Sequence, residues 1–143
     1  MKQVKRLLEA IFVILVIFLS DITIRFFVEY FEIISVTPSV YYSSASDPLL
    51  GYFSSLGMAI VMSGWIYCLY YLFYTLVSPK LEKLQFPIKW LCSYLYYLIF
   101  LSISEFLFEG YRMDVLLVLL IAAGPISLLT TKLIPFRRVK KTV

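Results

Sequence analysis

The chain has 143 residues, a net charge of +4 and 62% hydrophobic residues, with a mean hydropathy of +0.89. Soluble domains carry roughly 45–50% apolar residues, so a water-soluble fold has nowhere to bury this much apolar surface, and a bilayer does. The absence of His and Asn removes the commonest metal ligand, the side chain most used for proton transfer near neutral pH, and every N-glycosylation acceptor.

A transmembrane helix needs about 20 mostly apolar residues to cross a hydrocarbon core about 30 Å thick. The first candidate, residues 7–28, is rich in Ile, Phe, Leu and Val but is interrupted by Asp21 and Arg25. A cleaved signal peptide is its rival, because Met1–Arg6 is basic and Ala10–Ser20 is apolar. The continuation Asp-Ile-Thr-Ile-Arg-Phe-Phe has no small-x-small cleavage site and regains apolarity at once, which favours an uncleaved anchor. An outer loop over 29–53 follows. It contains Thr37-Pro38, five serines and Asp47-Pro48 between Ile34 and Phe53, the punctuation of irregular or short-turn structure.

The second span is placed at 54–77, inside the uncharged stretch from Pro48 to Pro79. It holds Gly57, Ala59, Ser63 and Gly64, small residues that let helices approach, although the spacing is not G-x-x-x-G. The third span, 88–108, is apolar apart from Lys89 at one end and Glu105 near the other. The fourth, 114–132, runs from Asp114 to Lys132, and Gly124-Pro125 marks a candidate kink near its middle. Proline removes a backbone donor there and frees a carbonyl around Ile121, which Ser127, Thr130 or Thr131 could help to re-satisfy.

Orientation follows from Lys and Arg. The N-terminal tail has Lys2, Lys5 and Arg6; the first loop has none and carries Glu29, Glu32 and Asp47. The second loop has Lys80, Lys83 and Lys89, the third only Arg112, and the tail Arg137, Arg138, Lys140 and Lys141. The alternation predicts an all-α integral membrane four-helix bundle with both termini cytoplasmic and no soluble domain. Trp90 at the cytoplasmic entry of the third helix, with Tyr30, Tyr41, Tyr42, Tyr52 and Tyr111 at or beyond the outer edge, reads as an interfacial aromatic belt.

Ionisable residues inside a span are costly and usually face the bundle or a wet cavity. Asp21, Arg25 and Glu29 recur every four residues and share a stripe on the first helix, and Glu105 and Glu109 do the same on the third. At 1.5 Å rise per residue, Arg25 lies roughly 27 Å beyond Leu7 and Glu105 roughly 26 Å beyond Ile88. The two should therefore pair near the outer leaflet boundary, with Asp21 one turn deeper. Structural pairing is the favoured role, with transport or recognition as the alternative.

The chain has no H-E-x-x-H, no Ser/His or Cys/His constellation and no phosphate-cradling glycine loop. It is expected to be non-enzymatic, with no catalytic residues, cofactor or metal. Cys68 and Cys92 form neither a C-x-x-C pair nor a metal quartet. The basic residues lie where topology signals lie, so nucleic acid is not an expected partner. The expected partners are the lipid bilayer and another membrane protein or a second copy of the chain.

Four spans are also found in small multidrug-type exporters, but those carry a membrane-embedded Glu in the first helix and more glycine, whereas this chain has Asp21 there and five Gly. In span count and topology alone the plan resembles small bacterial immunity proteins against pore-forming toxins. An interaction, accessory or immunity-type role in a bacterial cytoplasmic membrane is thus the expectation, with a homo-oligomeric transporter or channel subunit as its alternative.

Overall fold

The computed structural model describes residues 2–31, 33–34, 48–110 and 112–134. Among the described residues there are four helices and no strand: α1 (Lys2–Tyr30), α2 (Pro48–Leu81), α3 (Phe86–Glu109) and α4 (Met113–Leu133). All four are long and apolar enough to cross a membrane. Glu32, Asp47, Tyr41, Tyr42, Tyr111, Thr37-Pro38 and the basic tail from residue 135 lie outside the described residues, as does the side chain of Glu109.

The helices overrun the expected spans, and α2 differs most. It starts at Pro48 and runs 34 residues, so 48–53, expected in the outer loop, is helical. Proline suits a first helical turn, because its missing N–H would be unpaired there anyway. At the other end Pro79 lies inside the helix instead of ending it. Pro79 cannot donate to the carbonyl of Thr75, and the Ser78 hydroxyl does so instead, at 3.0 Å. A 34-residue helix is about 51 Å long, well beyond a core of about 30 Å. A crossing segment and the helix containing it are therefore different lengths.

The other boundaries have local causes. The first turn of α3 contains Pro87, and the helix stops at Gly110, whose φ of 78° is readily reached only by glycine; its N–H bonds the Phe106 carbonyl. Asp114 sits in the first turn of α4 and Lys132 in its last, each opposing the local helix dipole. Arg112 pairs with Asp114 at 2.6 Å.

Successive helices are antiparallel. Thr23 meets Tyr52 and Phe18 meets Tyr67 across α1 and α2. Trp65 meets Phe108 and Tyr74 meets Ser93 across α2 and α3. Trp90 meets Gly124 and Tyr94 meets Leu120 across α3 and α4. Neighbours pack in the order α1, α2, α3, α4 and back to α1. Across the two diagonals, α1 with α3 and α2 with α4, no described Cα atoms come within 8 Å.

The α3/α4 seam is the closest and the α2/α3 seam the loosest. Fully buried Ala122 and Ala123 let α4 seat tightly. In contrast, a Cβ added at Gly57 or Gly64 would meet nothing within 4 Å, so these α2 glycines do not serve a close approach within the described chain. The core runs along the bundle axis through Ile17, Tyr70, Tyr74, Tyr97, Leu119 and Ile126, while Ile60, Val61, Leu76, Ile99, Ile103 and Leu107 point outward. Apolar surface on this scale calls for an apolar surrounding.

Candidate functional site: a charge knot across the bundle diagonal

Asp21 is 0% exposed at the centre of the bundle. Three neighbours engage its carboxylate: the Tyr67 hydroxyl on Oδ2, the Tyr97 hydroxyl on Oδ1, and Nη2 of Arg25 at 3.1 Å. One turn along α1, Arg25 donates from Nη1 to Oε1 of Glu105 at 2.7 Å. A carboxylate withdrawn from water persists when opposite charge and hydrogen bonds replace its hydration, and Asp21 has both. The equal depth of Arg25 and Glu105 foretold the second contact.

Arg25 and Glu105 pair as expected, but from helices that are not neighbours. Because α1 and α3 are diagonal, only long side chains reach between them, and they do so through the middle of the core. Arg25 spans the gap from one side, Tyr97 and Glu105 from the other. Asp21 also collects Tyr67 from α2, so one carboxylate ties three helices together.

The tyrosines were not among the candidates read from the sequence. Tyr67, Tyr70 and Tyr74 recur at i, i+3 and i+7 on α2, which places them on one stripe, and that spacing was the available signal. Toward the end of the bundle away from Glu105, the same stripe continues as hydroxyl contacts. Tyr70 lies 3.1 Å from Thr130 Oγ1 and Tyr74 lies 2.7 Å from Ser93 Oγ. Tyr96 donates to the Tyr70 carbonyl at 3.0 Å. Tyr70 also sits among the rings of Tyr74, Tyr96, Tyr97 and Phe100, contacts that favour edge-on and offset geometries.

Other candidates are placed differently. Glu29 is on α1, half-buried, one turn beyond Arg25. Tyr52, expected at the outer edge, belongs to α2, where its hydroxyl lies 2.9 Å from Thr23 Oγ1 and its ring meets Phe26 edge-on. At Gly124-Pro125 the helix is continuous from Met113 to Leu133. The Ser127, Thr130 and Thr131 hydroxyls donate to the carbonyls of Gly124, Ile126 and Ser127 and not to Ile121. Two α3 side chains brace this stretch: Trp90 Nε1 donates to the Gly124 carbonyl at 3.3 Å and Tyr94 to that of Leu120 at 3.1 Å. Trp90, expected as an interface anchor, thus also bonds the proline-bearing helix.

Beside the knot lies a cavity of about 160 Å³ bounded by α1, α2 and α3. Arg25, Tyr67, Ser63, Ser104 and Glu105 give its wall a polar side, and Met62, Ile66, Leu101 and Phe108 are among its apolar residues. Of these, Met62 and Phe108 are exposed, so the mouth opens along the loose α2/α3 seam. Arg25 Nε is buried and has no hydrogen-bond acceptor among the described residues. No group of three His, Cys, Asp or Glu side chains suited to a metal occurs among the described residues, and both cysteines are free thiols. No protein-family model, no curated protein and no solved structure matches the chain.

Proposed function

We propose that the chain is a non-enzymatic, four-span protein of a cell membrane, with both termini cytoplasmic, acting through other membrane components as an accessory or immunity-type protein. What carries the reading is how the buried charges are used. Asp21, Arg25 and Glu105 engage one another and two core tyrosines, so the groups best suited to handling a substrate lock helices together. The outward faces present Leu, Ile, Val and Phe, the surface through which a protein inside a bilayer meets lipid and other helices.

The orientation rests on helix ends. Lys5 and Arg6, Lys80 and Lys83, Lys89 and Lys132 fall at one end of the antiparallel bundle, and at the other Arg112 stands with Glu29, Glu105 and Asp114, a bias that matches the positive-inside pattern. A fluorescent protein fused at either terminus should fluoresce in the cytoplasm, and a secreted phosphatase fused there should stay inactive. The role itself is tested by affinity capture in mild detergent. A stoichiometric heterologous membrane partner is the expected result. A stable homo-oligomer whose ion or drug flux is lost in Asp21→Asn or Glu105→Gln would replace this reading with a transporter.

A further inference from the structure

We propose that the cavity between α2 and α3 holds the headgroup of an ethanolamine phospholipid, with its acyl chains leaving through the seam between those two helices. The inference rests on the membrane reading above.

Two features of the wall set the ligand's chemistry. Arg25 and Glu105 stand on the wall as a 2.7 Å pair, while Asp21, 0% exposed, lies behind it against Arg25, so the wall offers one positive and one negative group side by side and a zwitterion is favoured. Glu105 is the accessible carboxylate, 26% exposed, against 0% for Asp21. Arg25, whose side chain is 15% exposed, supplies the cation on the same wall. A ligand answering both needs an ammonium to donate to Glu105 and, close by, an anionic oxygen to accept from Arg25. Phosphoethanolamine has both on adjacent groups. A choline headgroup has no N–H to donate, and a purely anionic headgroup brings Glu105 no cation.

The cavity's position favours a lipid over a free zwitterion. Its mouth is flanked by exposed Met62 and Phe108, and the ring of Phe108 packs edge-on against Trp65 at 5.5 Å, giving an apolar border for an acyl chain. Arg25 and Glu105 each lie roughly 26 to 27 Å along their spans, close to the far side of a core about 30 Å thick, where headgroups begin. The volume of about 160 Å³ exceeds the roughly 10–15 Å³ that one water needs by an order of magnitude.

The test is native mass spectrometry of the full chain reconstituted in vesicles with equal parts of ethanolamine, choline and glycerol phospholipids, then released in mild detergent. One retained ethanolamine phospholipid is expected, at least about tenfold over choline phospholipid, the scale of one charge-assisted hydrogen bond. Glu105→Gln should erase the preference. Ser63→Phe, which fills the cavity without touching the ion pairs, should abolish retention. Equal retention of ethanolamine and choline lipids, no retention, or undiminished retention by a folded Ser63→Phe would each overturn the proposal. Should that variant fail to fold, the wild-type choice between ethanolamine and choline lipid decides alone. Release of the chain from membranes by alkaline carbonate would instead overturn the membrane reading; carbonate resistance without selective retention overturns only the lipid site.

Discussion

The α2/α3 and α3/α4 seams are built from the same kinds of residue and behave oppositely. Along α3/α4, Trp90 and Tyr94 bond backbone carbonyls of the partner helix, and Ala122 and Ala123 of α4 are fully buried in the core. Along α2/α3 the contact is made by ring edges and hydroxyls, Tyr70 against Phe100 and Tyr74 with Ser93, and toward the Glu105 end the helices part around a cavity. Small residues draw helices together only where they face one another. Tyrosines hold helices apart by a ring's length and compensate with hydroxyl bonds at the far end. The charge knot sits where the second arrangement leaves room for it.

The largest expected effect is loss of the knot's centre. Asp21→Leu strands Arg25 beside Glu105 alone and leaves the Tyr67 and Tyr97 hydroxyls without their acceptor. Removing one partner of a buried pair costs about 3–5 kcal/mol, a large share of a native stability of about 5–15 kcal/mol. Thermal unfolding in detergent and steady-state level in membranes should both fall sharply. A near-wild-type melting temperature would mean that the α3/α4 seam, and not the knot, holds the fold.

Next comes the pair across the diagonal. Arg25→Gln should cost about 3 kcal/mol, at the lower end of the buried-pair range. Glu105→Gln should cost about 1 kcal/mol, because Glu105 is 26% exposed and solvent screens its partnership. Exchanging the two charges looks like the natural rescue, yet it would set a glutamate at position 25 against Asp21, which now contacts Arg25 at 3.1 Å. The exchange should therefore be worse than Glu105→Gln alone. The informative variant is the double neutralisation, Arg25→Gln with Glu105→Gln, measured as a double-mutant cycle. A coupling energy of zero would reduce the 2.7 Å contact to an energetically silent one.

These contacts also mark how far the sequence could be read. Four helices were legible because each contains an apolar run of crossing length, even though Asp21 and Arg25 interrupt the first, and Arg25 and Glu105 could be matched because rise per residue converts position into depth. The helix ends were not, since Pro48 and Pro79 look like breaks until Ser78 is seen bonding the Thr75 carbonyl. The diagonal relation of α1 and α3 was not legible either: hydropathy says that a helix crosses, not which neighbours it has. Tyr67, Tyr70, Tyr74 and Tyr97 were hidden by their chemistry, because a tyrosine in an apolar span also suits lipid, an interface or a core, and only its hydroxyl partner distinguishes them.

The tyrosines give an intermediate effect. Tyr97→Phe removes one of the two hydroxyls on Asp21 and should cost about 1–3 kcal/mol, since the bond is to a charged acceptor. Tyr74→Phe loses a neutral bond to Ser93, which still donates to the Lys89 carbonyl at 2.9 Å, and should cost about 1 kcal/mol or less. Equal losses at both positions in thermal unfolding would remove the distinction between the charged centre and the hydroxyl contacts at the other end of the bundle.

The smallest effect separates the seams most directly. Adding a methyl group at Gly64 places a Cβ in open space, and exchanging glycine for alanine in a helix lowers the unfolded chain's entropy, so Gly64→Ala should be neutral or stabilising by up to about 1 kcal/mol. Ala123→Leu puts three more carbons into a fully buried site and should cost about 1–3 kcal/mol by overpacking. A loss of about 1–3 kcal/mol at Ala123 would follow from the local spacing of the helices, since helix propensity separates Leu from Ala by well under about 1 kcal/mol. If Gly64→Ala instead lowers the melting temperature while Ala123→Leu is silent, the open face of α2 is covered in the membrane and the α3/α4 seam is slack. Should Gly64→Ala leave the melting temperature unchanged but abolish capture of a heterologous partner, that face is where the partner sits, because among the described residues nothing lies within 4 Å to feel the added methyl.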